Sequence, residues 1–317
     1  MKTKFPSKIL LGIQEGLCNL SCPKCYTHGK NVISSQVRSK GLMPISSFVK
    51  ILDEAMPFKP RIAPQTRDEP FINPNFINYL FEIKKRGLIT TIDTNGLLIS
   101  PKDLHKLIEL KVDSIFFSVD AMTEQTYNYV RGKNRLNFLK ELIHSFLNLR
   151  GDALFPRIGV SFVVENENEA ELSSFIEYWQ NYVDVIRVNK KFESGRKIKN
   201  FSSPVRNACW SLYDSLMVHH NGEAALCCVD NHYDNKIGNV FEQGILKIWQ
   251  GSFFNSVRSY HEKNQFNKIK ICETCDLWSN EDAKKTETAK LLISETATHT
   301  YFNRKDRLNN IVKNRYL

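Results

Sequence analysis

The chain predicts an α/β protein: a partial (β/α)6 barrel followed by a small C-terminal α+β domain. Two observations carry this. Six apolar runs of strand length alternate with segments of helical period up to residue 190, and there the pattern breaks. Repeated βα units of that length imply a parallel sheet flanked by helices, and six units rather than eight leave a barrel incomplete. The eight cysteines are the second observation: three fall between residues 18 and 25, and five between 209 and 275. They divide between the loop after the first strand and the region beyond the repeats.

The elements follow in order. "ILLGI" (9–13) is the first strand, and "SFVKILDEAM" after Ser46 has helical spacing. "RIA" (61–63) is a short strand. "NPNFINYLFEIKKRG" reads as a helix with Asn73 as N-cap, Pro74 at the first helical position and Gly87 as its stop. "LITTID" (88–93) is a strand, Ser100-Pro101 opens the helix "KDLHKLIELK", and "SIFFSVD" (114–120) is the next strand, followed by a helix pair ending in "RLNFLKELIHSFLNLR". "RIGVSFVV" (157–164), "EAELSSFIEYWQNY" and "VDVIRVN" (183–189) complete the series. The expected organisation is therefore a barrel over 1–190, a polar, aperiodic bridge over 191–204, a second domain over 205–280 and a basic, partly helical tail over 281–317. Within the second domain, "SLMVHHNGEAALCCVD" reads as a hairpin with Asn221-Gly222 as a type I′ turn.

Composition sets the setting. At 42% hydrophobic and 25% charged residues the chain is ordinary globular material. It has no run of eighteen apolar residues, and the N-terminal "ILLGI" is too short for a signal peptide and lacks a cleavage site. The expected location is cytoplasmic, with no membrane contact, where cysteines read as metal or redox ligands rather than disulfides. The net charge of +10 is dispersed, and its densest stretch is the tail "NRKDRLNNIVKNRY". That reads as a basic soluble surface, with an anionic substrate as the next option. No aromatic-basic stripe or nucleic-acid motif supports a nucleic-acid partner.

"EGLCNLSCPKCYTHG" (15–29) supplies three cysteines, Cys18, Cys22 and Cys25, and no fourth. Structural zinc takes four protein ligands, so zinc here must recruit His28. A 4Fe-4S cubane held by three cysteines leaves one iron open to a substrate or cofactor. Unliganded buried thiols are the third reading.

The C-x3-C-x2-C spacing does not stand alone. "TNG" (94–96) ends the third strand, "SVDAMTEQTYNYVRG" (118–132) follows the fourth, and "RDEPFINPNF" (67–76) follows the second. In this combination, over residues 9–190, the chain resembles the radical S-adenosylmethionine superfamily. The resemblance implies that Cys18, Cys22 and Cys25 hold a 4Fe-4S cluster and that Glu69 binds the amino group of S-adenosylmethionine, with Ser118 and Arg131 for its carboxylate. Two departures stand out. Arg67 and Asp68 occupy the places of the family's "GGE" glycines, and Lys24 stands before the third cysteine, where an aromatic is usual; Tyr26 is the candidate to pack near adenine instead. The implied activity is reductive cleavage of S-adenosylmethionine, fed by an external one-electron donor such as flavodoxin or ferredoxin. It yields a 5′-deoxyadenosyl radical that abstracts hydrogen from an unactivated C–H bond.

The second domain resembles the twitch, or shortened SPASM, iron-sulfur domain, which carries one auxiliary 4Fe-4S cluster. The implied ligands are Cys209, Cys227, Cys272 and Cys275. Cys227 is preferred to Cys228 partly because alternate residues of a strand face opposite ways. Structural zinc is the rival occupant. The leading function is dehydrogenation or epimerisation of a small polar molecule such as a sugar, aminocyclitol or nucleotide-linked sugar, the net redox balance being open. A peptide-modifying maturase is the alternative, weakened because only seventeen residues precede Cys18. A non-enzymatic protein binding zinc and nucleic acid is the remote third.

Overall fold

The computed structural model describes residues 4–29, 40–190, 192–193, 197–198, 205–230, 235, 237–279 and 283–316. Most of the expected bridge at 191–204 lies outside them. The chain forms two compact units interleaved along the sequence. The first comprises Met1–Cys18, Val32–Thr90 and Phe192–Glu281, the second Asn19–Asn31, Thr91–Lys191 and Asp282–Leu317.

The six expected strands are all present, the first five each followed by helix: β1 (Lys8–Leu11), α1 (Ile45–Ala55), β2 (Arg61–Ala63), α2 (Phe76–Lys85), β3 (Ile89–Thr94), α3 (Pro101–Glu109), β4 (Ser114–Ser118), α4 (Glu124–Arg131), α5 (Leu136–Arg150), β5 (Arg157–Val163), α6 (Leu172–Trp179) and β6 (Val185–Asn189). Beyond them come β7 (Ser215–Val218), β8 (Ala224–Ala225), α7 (Ser252–Glu262) and three further strands, β9 (Lys284–Glu287), β10 (Leu291–Glu295) and β11 (His299–Arg304).

In the first unit β7, β1, β2 and the start of β3 run parallel, with Ile9 opposite both Leu216 and Ile62. The two helices bury residues at one-face spacing: Phe48, Ile51, Leu52 and Ala55 on α1, and Phe76, Tyr79, Leu80 and Ile83 on α2. The Phe48 and Tyr79 rings meet edge to face at 4.9 Å. Helix α2 starts at Phe76 rather than Pro74. The Asn73 side chain accepts from Asn75 N at 2.9 Å, an Asx turn that spends the expected cap two residues too early.

The β7–β8 hairpin also departs from expectation. Gly222 has φ +87°, but Asn221 is not left-handed, so the loop is no type I′ pair; Gly222 N donates to His219 O at 2.9 Å in a wider turn. A Cβ at Gly222 would fall 2.3 Å from Asn239 Oδ1, which is why glycine sits there.

In the second unit β3, β4, β5 and β6 continue in parallel order. Their outer side chains lie under helices: Phe117 meets Phe146 of α5 at 6.3 Å and Phe162 meets Phe175 of α6 at 4.8 Å. Helix α3 opens on a reciprocal capping box between Ser100 and Asp103. The segment read as a basic, partly helical tail instead carries three strands before a helix at Asn310–Tyr316. β11 pairs antiparallel with β6, β10 with β11 and β9 with β10.

One buried carboxylate ties this unit together. Asp184 is 1% exposed, pairs with Arg150, accepts from Arg307 Nε at 2.8 Å and from Ile158 N at 2.7 Å, and its carbonyl accepts from Arg304 N at 3.0 Å. Removing one partner of such a network leaves buried charge uncompensated, at a cost of about 3–5 kcal/mol. Asp184→Ala is expected to destabilise the second unit by that amount in urea denaturation, against a much smaller effect for the exposed Asp53→Ala.

Candidate active site

Local backbone chemistry presents the first cysteine. Leu17, the residue before Cys18, is held on both backbone groups by the segment after β2: its N–H donates to Asp68 Oδ1 at 3.0 Å and its carbonyl accepts from Glu69 N at 3.2 Å. The Gln14 amide donates to the Glu69 carbonyl. The two residues that replace the family's glycines thus have visible work, because Arg67 donates to the Cys228 carbonyl. Glu69 is only 2% exposed, and its carboxylate accepts from Phe71 N at 3.2 Å, capping the 3-10 turn Pro70–Ile72.

Immediately upstream, Glu15 bridges two imidazoles. Its carboxylate meets His219 Nδ1 and, at 2.8 Å, His220 Nδ1. Burial pushes the Glu15 carboxyl up, but the hydrogen bonds and charges of the two histidines outweigh it and hold the group below its usual 4.5. Nothing in the sequence announced this contact, whose partners stand over two hundred residues apart.

In the second unit, Cys22 and Cys25 lie in a tight turn. Cys25 N donates to Cys22 O at 3.0 Å, and the Cys25 sulfur accepts from Thr27 N at 3.4 Å and His28 N at 3.2 Å. Backbone N–H groups aimed at a sulfur are the usual second layer of an iron-sulfur ligand. Gly29 closes the turn, since a Cβ there would come within 2.5 Å of the Cys25 carbonyl. Arg131 ends α4, stopped by Gly132 in the left-handed region. Its guanidinium pairs with Asp120 and lies 4.0 Å from the Cys22 sulfur. Burial works against the guanidinium's charge, but Asp120 and Cys22 raise its pKa further still. Arg131 Nε is buried with no hydrogen-bond partner among the described residues, a donor suited to an anionic guest.

Asp120, third residue of the "SVDAMTEQTYNYVRG" segment, is a site residue that the sequence does not single out. It is buried, adopts φ +60°, and accepts from Val163 N at 2.7 Å. A non-glycine residue in that conformation persists only where its surroundings hold it. Ser118 is half-buried at the end of β4. Tyr26 is 67% exposed. Lys24 reaches Glu165 at 3.1 Å and Glu167 at 2.5 Å. Asn95 of the TNG element donates to Asn19 Oδ1 at 2.8 Å, securing the chain just before Cys22.

The remaining cysteines gather in the first unit. Cys209, Cys227, Cys228, Cys272 and Cys275 line one largely apolar cavity with Trp210 and Trp278. Strand alternation does not decide between Cys227 and Cys228, because β8 ends at Ala225 and both lie in the turn beyond it. Burial separates them instead: Cys228 is exposed, whereas burial pushes the Cys227 thiol well above its usual range and that of Cys209 up to about 12. Two buried N–H groups of the lining, His261 Nε2 and Arg206 Nε, have no partner among the described residues. Burial, then the charge of Arg206, pulls His261 down to about 4, so it is neutral, and its Nδ1 accepts from Cys209 N at 3.2 Å. Thiols, spare N–H donors and an apolar wall fit a sulfide-bearing cluster, whose ligation would draw the thiols into thiolates. Among the described residues, no group of three or more His, Cys, Asp or Glu side chains is set to hold a single metal ion.

Comparison with known proteins agrees with this layout. The radical SAM superfamily model matches residues 16–178, more than half of the chain, and the SPASM iron-sulfur cluster-binding domain matches residues 209–276. The chain belongs to the radical SAM superfamily. It is a radical SAM enzyme with a SPASM domain, whose cofactors are S-adenosylmethionine, a 4Fe-4S cluster and an auxiliary iron-sulfur cluster.

A tungsten-containing aldehyde ferredoxin oxidoreductase cofactor-modifying protein of Pyrococcus furiosus is 31% identical over 183 residues, 54% of this chain and 48% of that protein. The chain thus spans about half the length of that relative. Among solved structures, BtrN in complex with AdoMet and 2-DOIA superposes with a TM-score of 0.60 at 17% identity, covering 87% of this chain and 94% of that one. Streptococcus suis SuiB bound to precursor peptide SuiA gives 0.65 at 16% identity, covering 87% and 72%. These likenesses show the fold, a partial barrel. No helix of the described residues is long and apolar enough to cross a membrane.

The Glu15 clamp carries a pH signature. A carboxyl whose folded pKa is depressed contributes stability that is present above its unfolded pKa, near 4.5, and is lost as pH falls through the lower folded value. Thermal melting between pH 3 and 7 is expected to show a shallower acid loss in Glu15→Gln than in wild type. Identical acid limbs would contradict the clamp.

Proposed function

We propose that the chain acts on a small polar molecule such as a sugar or aminocyclitol, by dehydrogenation or epimerisation. Support comes from the likeness to BtrN with its bound AdoMet and 2-DOIA, which extends over nearly all of that chain. Cys18, Cys22 and Cys25 hold the first cluster, and Cys209, Cys227, Cys272 and Cys275 hold the auxiliary one. Glu69 takes the ammonium of S-adenosylmethionine, while Ser118 and Arg131 take its carboxylate, with Asp120 fixing the Arg131 fork. Tyr26 is the candidate contact for adenine.

When bound, the cluster and S-adenosylmethionine supply reductive sulfonium cleavage and hydrogen-atom abstraction, with electrons from an external one-electron donor. The protein's part is to orient the cofactor through these side chains and to keep the site dry. A peptide substrate is the second reading, favoured by the likeness to SuiB with its precursor peptide. The deciding experiment is anaerobic incubation with S-adenosylmethionine, dithionite and deuterated candidate substrates. Label entering 5′-deoxyadenosine from a polyol or aminocyclitol supports the first reading, and label arriving only from a peptide replaces it with the second.

Two iron analyses test the ligands. Wild type reconstituted anaerobically is expected to hold about eight irons, four per cluster. The Cys18→Ala, Cys22→Ala, Cys25→Ala triple variant should keep about four and cleave no S-adenosylmethionine. Cys227→Ala is expected to lose about four irons while Cys228→Ala keeps about eight. The opposite outcome for that pair would exchange their roles.

A further inference from the structure

Side chains on the strands of the second unit alternate between two faces. One face lies under α5 and α6; the other carries Asp93, Phe116, Ser118, Ser161, Arg187 and Tyr301. Ser118, Ser161, Arg187 and Tyr301 stand opposite one another on four consecutive strands, β4, β5, β6 and β11, as one polar row. From that row the Arg187 guanidinium lies over the Phe116 ring, 4.4 Å from its centroid, and bonds to both Asp93 and Tyr301. Gly159 makes room for the ring: a Cβ there would come within 2.7 Å of it. Arg187 and the whole of β11 lie outside both family matches.

We propose that this face binds the ring of a cyclic amino-polyol, with Asp93 as its acceptor and the C-terminal strand β11 as one wall. Three observations carry the choice of ligand. The charge of Arg187 is already matched by Asp93, so the pair is no receptor for an anion. The Asp93 side chain is 40% exposed and that of Arg187 17%, so the group offered to a guest is the carboxylate, an acceptor for hydroxyl and ammonium donors. The rings of His299 and Tyr301, two residues apart on β11, are stacked at 6.0 Å and 20°, a flat surface for the C–H face of a saturated ring. Arg187 is a positioning residue: clamped on Phe116, it aims the Asp93 carboxylate.

The inference rests on the small-molecule reading and names its substrate class. The test is titration calorimetry on reconstituted protein with three probes: 2-deoxystreptamine, myo-inositol and glucose 6-phosphate. Expected is tightest binding of 2-deoxystreptamine, weakened about tenfold or more by Asp93→Asn, consistent with loss of a charge-assisted hydrogen bond. Tyr301→Phe should weaken it by a smaller factor, and Lys284→Ala on the exposed outer strand should leave it unchanged. If Asp93→Asn melts early, Tyr301→Phe carries the test alone. Tightest binding of glucose 6-phosphate overturns the proposal, as does 2-deoxystreptamine binding that neither variant alters; the small-molecule reading survives both results. Binding of none of the three probes overturns both.

Discussion

The ion pair between Asp120 and Arg131 is the constraint on which the cysteine loop of the second unit depends. Asp120 is buried and Arg131 half-buried, so the carboxylate cannot stand alone without a large cost, and each belongs to a different piece of local structure. Asp120 sits in a left-handed turn directly after β4 and takes the Val163 N–H from β5. Arg131 ends α4. Holding these two together fixes where a helix end meets two strand ends, and that junction lies beside Cys22. The strained turn is therefore the fastening that sets the Arg131 fork against the cysteine loop.

The first unit solves the same problem with charged side chains that bond to backbone groups. Replacing two flexible glycines by Arg67 and Asp68 removes conformational freedom, yet each side chain gains a specific backbone partner, Leu17 N on one side and the Cys228 carbonyl on the other. One short segment thereby touches both cysteine-bearing stretches of its unit. The departure from the family pattern becomes a substitution of side-chain bracing for backbone adaptability.

Much of this was legible in the sequence, and the failures have physical causes. The six strands and their helices follow from local periodicity, which burial of one face enforces, as in the 48, 51, 52, 55 spacing of α1. Cysteine spacing is local too, so both groups were visible before any coordinates. Strands β9 to β11 escape the sequence reading because β9 has no apolar residue, the apolar run Leu291-Leu292-Ile293 of β10 is brief and set among charges, and β11 takes its register from β6, over a hundred residues earlier. The signal present was weak: Thr300, Tyr301 and Phe302 are strand formers in a segment otherwise rich in charge. Strand alternation cannot separate Cys227 from Cys228, because the strand stops at Ala225, whereas burial distinguishes the two thiols. The Glu15 contact with His219 and His220 is tertiary and had no local trace.

The outermost strand has a consequence for colloidal behaviour. β9 reads Lys-Lys-Thr-Glu, is exposed throughout, and lies at the open edge of its sheet. An edge strand offers unpaired backbone groups to any extended chain that drifts past, and lysines along it raise the cost of such docking. The three-stranded addition to β6 therefore moves the exposed edge away from the apolar, fully buried Val185 and Ile186 and onto a charged ribbon, a guard against edge-to-edge aggregation.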